Sequence, residues 1–340
     1  MPVDACAPLL RAAPSVFRAL ASAVILAVGV LSASDVALAS GAVPAERPFP
    51  AAASGSSADS STDLAGPAAH VAVQLPVAAA ADPGIRFARW PHVSHGRLVF
   101  AYHGDLWIGN ADGSELRRLT SHVATDQRPR FSPDGTLVAF TSNRAGTNHV
   151  WVVPVEGGDP RQLTFHPSGD NVQYWTPDGS AVVISTSRGS EPFRTPLYLA
   201  PLDGTIPVPL PMDGASSGMI RQDGAMVAFN RKGFPFTRRG YLGNNAADLW
   251  VQDLRSHEFR QLTNVDVRAN REQGHTALPM WGADGWTYFI SEAAGPFNLW
   301  RISPEGGDPE QVTFHTVDNV QYPSIIPDGR IISSTKGFHV

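Results

Sequence analysis

From residue 86 onward the chain repeats itself, and a repeat sets the architecture before any single residue is read. Asp-Gly pairs recur at 134–135, 178–179, 223–224, 284–285 and 328–329, with spacings of 44, 45, 61 and 44. They lie in matching units: FSPDG, WTPDG, IRQDG, WGADG and IIPDG. A β-rich run follows each unit: TLVAFTS, SAVVIST, AMVAFN, WTYFIS and RIISS. A Trp-bearing run also recurs (DLWIGN, HVWVVP, DLWVQD, NLWRIS), with PLYLAP in the third unit. Most units close on a Leu-Thr segment (RRLT, RQLT, RQLT, and EQVT as a variant), which the third unit lacks.

Short runs of β-branched and aromatic residues bounded by Pro-Asp-Gly or Gly-Gly-Asp turns are antiparallel strands in hairpin connection. Four strands in about 44 residues make a propeller blade. A helical solenoid is excluded, because no 3.6-residue period runs through the repeats. Six units can be counted, the first from ARWPHVSHG to ELRRLT and the last opening at VQYPSIIPDG. The sixth stops at Val340 inside its third strand. The expected fold is therefore an all-β, six-bladed propeller with a truncated last blade and an open ring. The third-strand tryptophans are expected between neighbouring blades, since one blade cannot bury both its faces.

The N-terminus reads as an address. Arg11 and Arg18 precede an apolar run of thirteen residues, Ala19 to Leu31, and Ala37-Leu38-Ala39 supplies small residues. Basic, apolar and small-residue regions in that order make 1–39 a signal peptide. Thirteen residues fall short of the ~20 that span a bilayer as a helix. Residues 40–84 are Ala/Ser/Pro-rich and too poor in large apolar side chains to offset chain ordering, so they read as a disordered linker. The propeller takes 85–340, in a periplasmic or secreted protein. Cys6, the single cysteine, excludes an internal disulfide, a Cys-based zinc site and an iron–sulfur cluster. A net charge of −5 gives no footprint for nucleic acid. No cofactor or metal is expected.

The Pro-Asp-Gly turn, the Leu-Trp strand and the Arg-Gln-Leu-Thr segment resemble the propeller repeat of TolB-like proteins and tricorn-type proteases. Within that superfamily, HVSHGRLVFAYHGDLW (92–107) and the insertion ending RRGYLGNNAADLW (238–250) resemble the N-terminal six-bladed propeller of the tricorn protease family. The resemblance implies a module of an exported serine protease that degrades oligopeptides, serving substrate access or assembly. In that family the Ser/His machinery lies in downstream domains without a counterpart here, so no catalytic residue is carried over. Implied partners are peptides, the downstream protease domains and further copies of the chain, with no membrane contact after signal cleavage. Two alternatives stay open: a TolB-like periplasmic protein-binding scaffold, and the accessory propeller of another hydrolase.

Four residue sets are candidates for a site. Asp126, Asp170 and Asp318 fall in equivalent loops (TDQRP, GDNVQY, VDNVQY) and are expected to form an acidic rim around the channel. The competing reading is that each caps its own turn. The fourth unit is 17 residues longer than its neighbours, and its insertion carries Arg231, Lys232, Phe236, Arg238, Arg239 and Tyr241, a mixture suited to an interface. Gly214-Ala215-Ser216-Ser217-Gly218 matches the nucleophile elbow, but that chemistry needs a strand, a sharp turn and a helix. It reads as a loop leading into the fourth blade. His122, His166 and His315 recur near the Leu-Thr segments and read as loop residues rather than metal ligands.

Overall fold

The computed structural model describes residues 30–31, 88–188, 195–212, 214–231, 241, 246–264, 276–326 and 329–337. After a two-residue strand, β1 (Val30–Leu31), come five four-stranded antiparallel sheets. Blade one holds β2 (Arg89–Ser94), β3 (Arg97–Tyr102), β4 (Asp105–Asn110) and β5 (Arg117–Arg118). Blade two holds β6 (Asp126–Phe131), β7 (Leu137–Ala145), β8 (Thr147–Pro154) and β9 (Arg161–Gln162). Blade three holds β10 (Asp170–Trp175), β11 (Ala181–Thr186), β12 (Leu197–Pro201) and β13 (Val208–Pro209). Blade four holds β14 (Ala215–Ile220), β15 (Met226–Arg231), β16 (Asp248–Asp253) and β17 (Phe259–Gln261). Blade five holds β18 (Thr276–Trp281), β19 (Thr287–Ser291), β20 (Asn298–Ile302) and β21 (Glu310–Gln311). The sixth sheet has β22 (Asp318–Ile325) and β23 (Ile331–Gly337), with β1 on the far side of β23.

Local chemistry explains the repeat. In the Asp-Gly turns, the carboxylates of Asp134, Asp178, Asp223 and Asp284 accept from the amide two residues on, at 2.9–3.1 Å. Gly135 follows at φ 72°, a conformation that favours glycine. The Leu-Thr segment lies just past the short fourth strand instead of forming it. Its threonine hydroxyl accepts the third strand's amide where the ladder ends: Thr120 from Leu106, Thr164 from Val150, Thr263 from Leu249 and Thr313 from Leu299, at 2.8–3.0 Å. One threonine thus satisfies a buried donor that the next strand is too short to reach.

The core is six apolar seams, one between each pair of neighbouring blades. Leu106 meets Phe140, Val152 meets Val182, Leu197 meets Phe229, and Leu249 meets Phe289. Leu299 meets Val320 in the fifth seam, and Ile332 meets Phe100 in the sixth. The last seam corrects the expected open ring. Among the described residues the sixth sheet has two strands of the repeat, and its apolar face packs onto blade one and closes the circle. The third-strand tryptophans Trp107, Trp151, Trp250 and Trp300 pack against these seams.

Candidate functional site

The first strands β2, β6, β10, β14, β18 and β22 each touch the next around the ring, so they are the innermost. All six bulge against their partner. In four, the bulge residue precedes a proline and takes positive φ: Trp90 (51°), Arg128 (54°), Leu278 (54°) and Tyr322 (50°). A non-glycine residue there stores roughly 1–2 kcal/mol of strain. Blades three and four have no proline at this place and no such residue.

These bulges bring side chains from different blades together. The Trp90 and Tyr322 rings, from blades one and six, have centroids 4.6 Å apart. Arg130 lies over Tyr174 at 4.9 Å, while its Nε donates to the Gln173 carbonyl at 3.1 Å and Nη1 to the Pro129 carbonyl at 3.4 Å. Tyr174, from blade three, belongs to one buried cluster with Met280 and Val320 of blades five and six. Half-buried Arg128 lies near Arg130, Tyr322 and Tyr174. Among the described residues it makes no hydrogen bond or ion pair, and no carboxylate faces Arg130.

The electrostatics follow from this composition. Burial pulls the pKa of both guanidinium groups down, and Arg130 adds to the effect at Arg128. Burial raises the Tyr174 phenol. His92, whose Nδ1 accepts from the Phe131 amide at 3.1 Å, is held well below the usual histidine value, first by burial and then by Arg130. Beside the cluster a cleft of about 360 Å³ opens between blades one and two, lined among others by Arg89, Trp90, Tyr102, His103, Asp126 and Gln127.

The structure does not assemble an acidic rim. Asp126 and Asp170 are fully buried, each under an arginine of its own blade: Arg144 Nη2 lies 2.6 Å from Asp126, and Arg188 Nη2 2.6 Å from Asp170. Their charge is spent internally, and neither caps its own turn. Asp318 is exposed, and in register it pairs with Gly337, as Asp126 does with Ser142 and Asp170 with Thr186. Of the insertion, Lys232, Phe236, Arg238 and Arg239 lie outside the described residues. Arg231 ends β15 with its guanidinium 5.1 Å from the Trp250 ring, and Tyr241 is half-buried.

Ser216 lies within the innermost strand β14, not in a loop before it, and its Oγ donates to the Asn230 carbonyl at 3.3 Å. A strand interior offers no elbow. The repeated histidines serve their loops: Nδ1 of His122 accepts the Ala124 amide, Nδ1 of His166 accepts the Ser168 amide, and the His315 backbone is bracketed by Asn298. Among the described residues no group of three or more His, Cys, Asp or Glu could hold a metal.

Sequence reasoning missed Arg128, Arg130, Tyr174, Trp90 and Tyr322. One signal was available: Trp-Pro, Arg-Pro, Leu-Pro and Tyr-Pro stand at the same register of four innermost strands.

A family model for the tricorn protease N-terminal beta propeller domain matches residues 85–338, the whole ring. The chain belongs to this family. Tricorn protease homolog 1 of Streptomyces coelicolor is 31% identical over 230 residues, which are 65% of this chain and 20% of that protein. The chain thus spans about a fifth of that relative. The crystal structure of the tricorn protease superposes with a TM-score of 0.63 at 23% identity, covering 74% of this chain and 24% of that one. A TolB structure from Agrobacterium tumefaciens gives 0.60 at 18% identity, covering 76% and 92%. Both structural likenesses fall below 25% identity and speak for the fold alone.

Proposed function

We propose that this chain is the propeller module of an exported tricorn-type protease and serves substrate access or assembly, leaving peptide-bond cleavage to other domains. The observation that carries this reading is the extent of the family match, which begins and ends with the ring itself. Two features add support. Tyr174 of blade three shares one buried cluster with residues of blades five and six, so the inner strands form a continuous packed unit suited to assembly. The one nucleophile-like motif is held in a strand, with Ser216 bonded to its neighbour's backbone. Export rests on residues 1–39, and the assembly contact rests on the basic and aromatic composition of the insertion in blade four.

The test is sedimentation of the purified chain with the separately expressed remaining domains of a tricorn-type relative, alongside assay with fluorogenic tri- and tetrapeptides. The chain alone should not turn the peptides over, should co-sediment with the remaining domains, and should lose that association when 232–244 is deleted. Failure to co-sediment returns the chain to a TolB-like scaffold. Turnover abolished by Ser216→Ala overturns the non-catalytic reading. A reporter active only outside the cytoplasm, fused behind residues 1–39, tests export, and an inactive fusion refutes it.

A further inference from the structure

The cleft between blades one and two is lined by polar groups that the fold leaves unused. Arg89, Tyr102, His103 and Gln127 all line it, and among the described residues none of their side chains makes a hydrogen bond or an ion pair. Asp126 lines it as well, and its carboxylate is only half satisfied. Arg144 reaches Oδ2 at 2.6 Å, and the buried Oδ1 has no donor. In blade three, by contrast, Arg188 serves both oxygens of Asp170. A buried acceptor without a donor is rare enough to need a cause. Half-buried Trp90 adds an aromatic wall to the same cleft.

We propose that this cleft binds an uncharged sugar, a single pyranose ring laid against Trp90. A hydroxyl both donates and accepts, so a ring of hydroxyls matches a lining that mixes the two roles. Arg89, the Tyr102 phenol and the Gln127 amide donate, while the Gln127 carbonyl and Oδ1 of Asp126 accept. The C–H face of a pyranose is apolar and flat enough to cover an aromatic ring, the large apolar body that Trp90 offers. About 360 Å³ sits at the small end of ligand sites and suits one ring better than a chain of them. Charge selects neither sign. Within the wall Asp126 and Arg144 cancel, and Arg89 and His103 are exposed and therefore screened. An ammonium would meet the Arg89 guanidinium, and a carboxylate would meet the orphaned oxygen of Asp126. This assignment stands on the cleft alone and does not depend on the protease reading.

The experiment is calorimetric titration of the full chain with the methyl glycosides of glucose, galactose and mannose. Glycerol, glucosamine and glucuronate are the comparators. At least one glycoside should bind with a Kd on the order of 1 mM, which ordinary ligand efficiency gives for about thirteen non-hydrogen atoms. It should bind at least about tenfold more tightly than glycerol, which has hydroxyls but no ring face, and neither charged sugar should exceed it. Gln127→Ala and Trp90→Ala should each weaken it about fivefold, the size of one hydrogen bond or one aromatic contact. Arg255→Met, at an exposed arginine in blade four, should leave it unchanged. If Trp90→Ala fails to fold, Gln127→Ala and the comparison of ligands on the wild type decide the matter. No glycoside binding at about 10 mM, glycerol binding equally well, or a charged sugar binding more tightly would overturn the assignment. Affinity untouched by Gln127→Ala would overturn it too.

Discussion

Arg188 holds both carboxylate oxygens of Asp170 from one nitrogen, at 2.7 and 2.6 Å, and the pair is buried between β10 and the end of β11. Its Nε also donates to the Thr186 hydroxyl at 3.2 Å, and its plane lies 5.4 Å from the Tyr198 ring. One blade earlier Arg144 makes a similar pair, reaching Oδ2 of Asp126, the Ser142 hydroxyl and the Trp151 ring. Both arginines stand two residues beyond the position paired with the aspartate, so the latch recurs at one register in blades two and three.

Removing one member of such a buried pair strands the other charge. Arg188→Met is expected to destabilise the chain by roughly 3 kcal/mol, read from urea unfolding. Adding Asp170→Asn should recover part of the loss, because the orphaned carboxylate is gone. A double variant no more stable than the single one refutes the latch.

The Leu-Thr motif makes a second prediction. Thr164→Val leaves the buried Val150 amide without its acceptor and should cost about 1–3 kcal/mol. Thr164→Ser keeps the hydroxyl and should restore most of that stability. If valine and serine prove equivalent at this position, the hydroxyl is not what the repeat selects.

Acid sensitivity follows from His92. Its folded pKa is held well below 6.5, so between that value and 6.5 the unfolded chain binds more protons than the folded one. Stability therefore rises with pH in that window and falls on acidification below about pH 6.5. His149, also lowered by burial, acts in the same direction. His92→Gln keeps an acceptor for the Phe131 amide but does not titrate. It should flatten part of the decline in midpoint between about pH 7 and pH 5, and an unchanged slope would exclude His92 as a cause. The turn carboxylates contribute separately, at more acidic pH, since hydrogen bonds lower Asp134 and Asp178.

What the repeat made readable was what recurs locally. Asp134 and Gly135 announce their turn within two residues, and Trp151 announces its strand because blade packing demands a large apolar group there. The latches were unreadable for a geometric reason. Asp126 and Arg144 are 18 residues apart, and only the pairing of Asp126 with Ser142 across a bulge brings them together. An aspartate read without its register looks like a free charge, which is how an acidic rim came to be expected. Arg128 was hidden more deeply. A strict two-residue alternation does not say where an extra residue enters the strand, and the proline after it is only a hint that the backbone leaves the ladder.

Ring closure gives the last prediction. Phe100 and Ile332 are almost fully buried against each other's blades, and Trp90 meets Tyr322 on the same seam. If this seam belongs to the cooperative core, Phe100→Ala should cost about 3–5 kcal/mol, comparable with Phe140→Ala in the seam between two complete blades. Unfolding of the wild type should also remain one transition by circular dichroism and by tryptophan fluorescence. The outer edge of β23 has a different fate. Among the described residues it is paired only at Ile331 and Ile332, by β1, and the backbone from Ser333 to Gly337 has no strand on that side. An unpaired edge recruits other strands, so sedimentation velocity should show association that grows with concentration. Ser333→Lys places a charge on that edge and should suppress the association without lowering the unfolding midpoint. A wild-type chain that stays monomeric at every concentration would mean that closing the ring also protects the edge. A cheap Phe100→Ala would mean that the sixth sheet only leans on blade one.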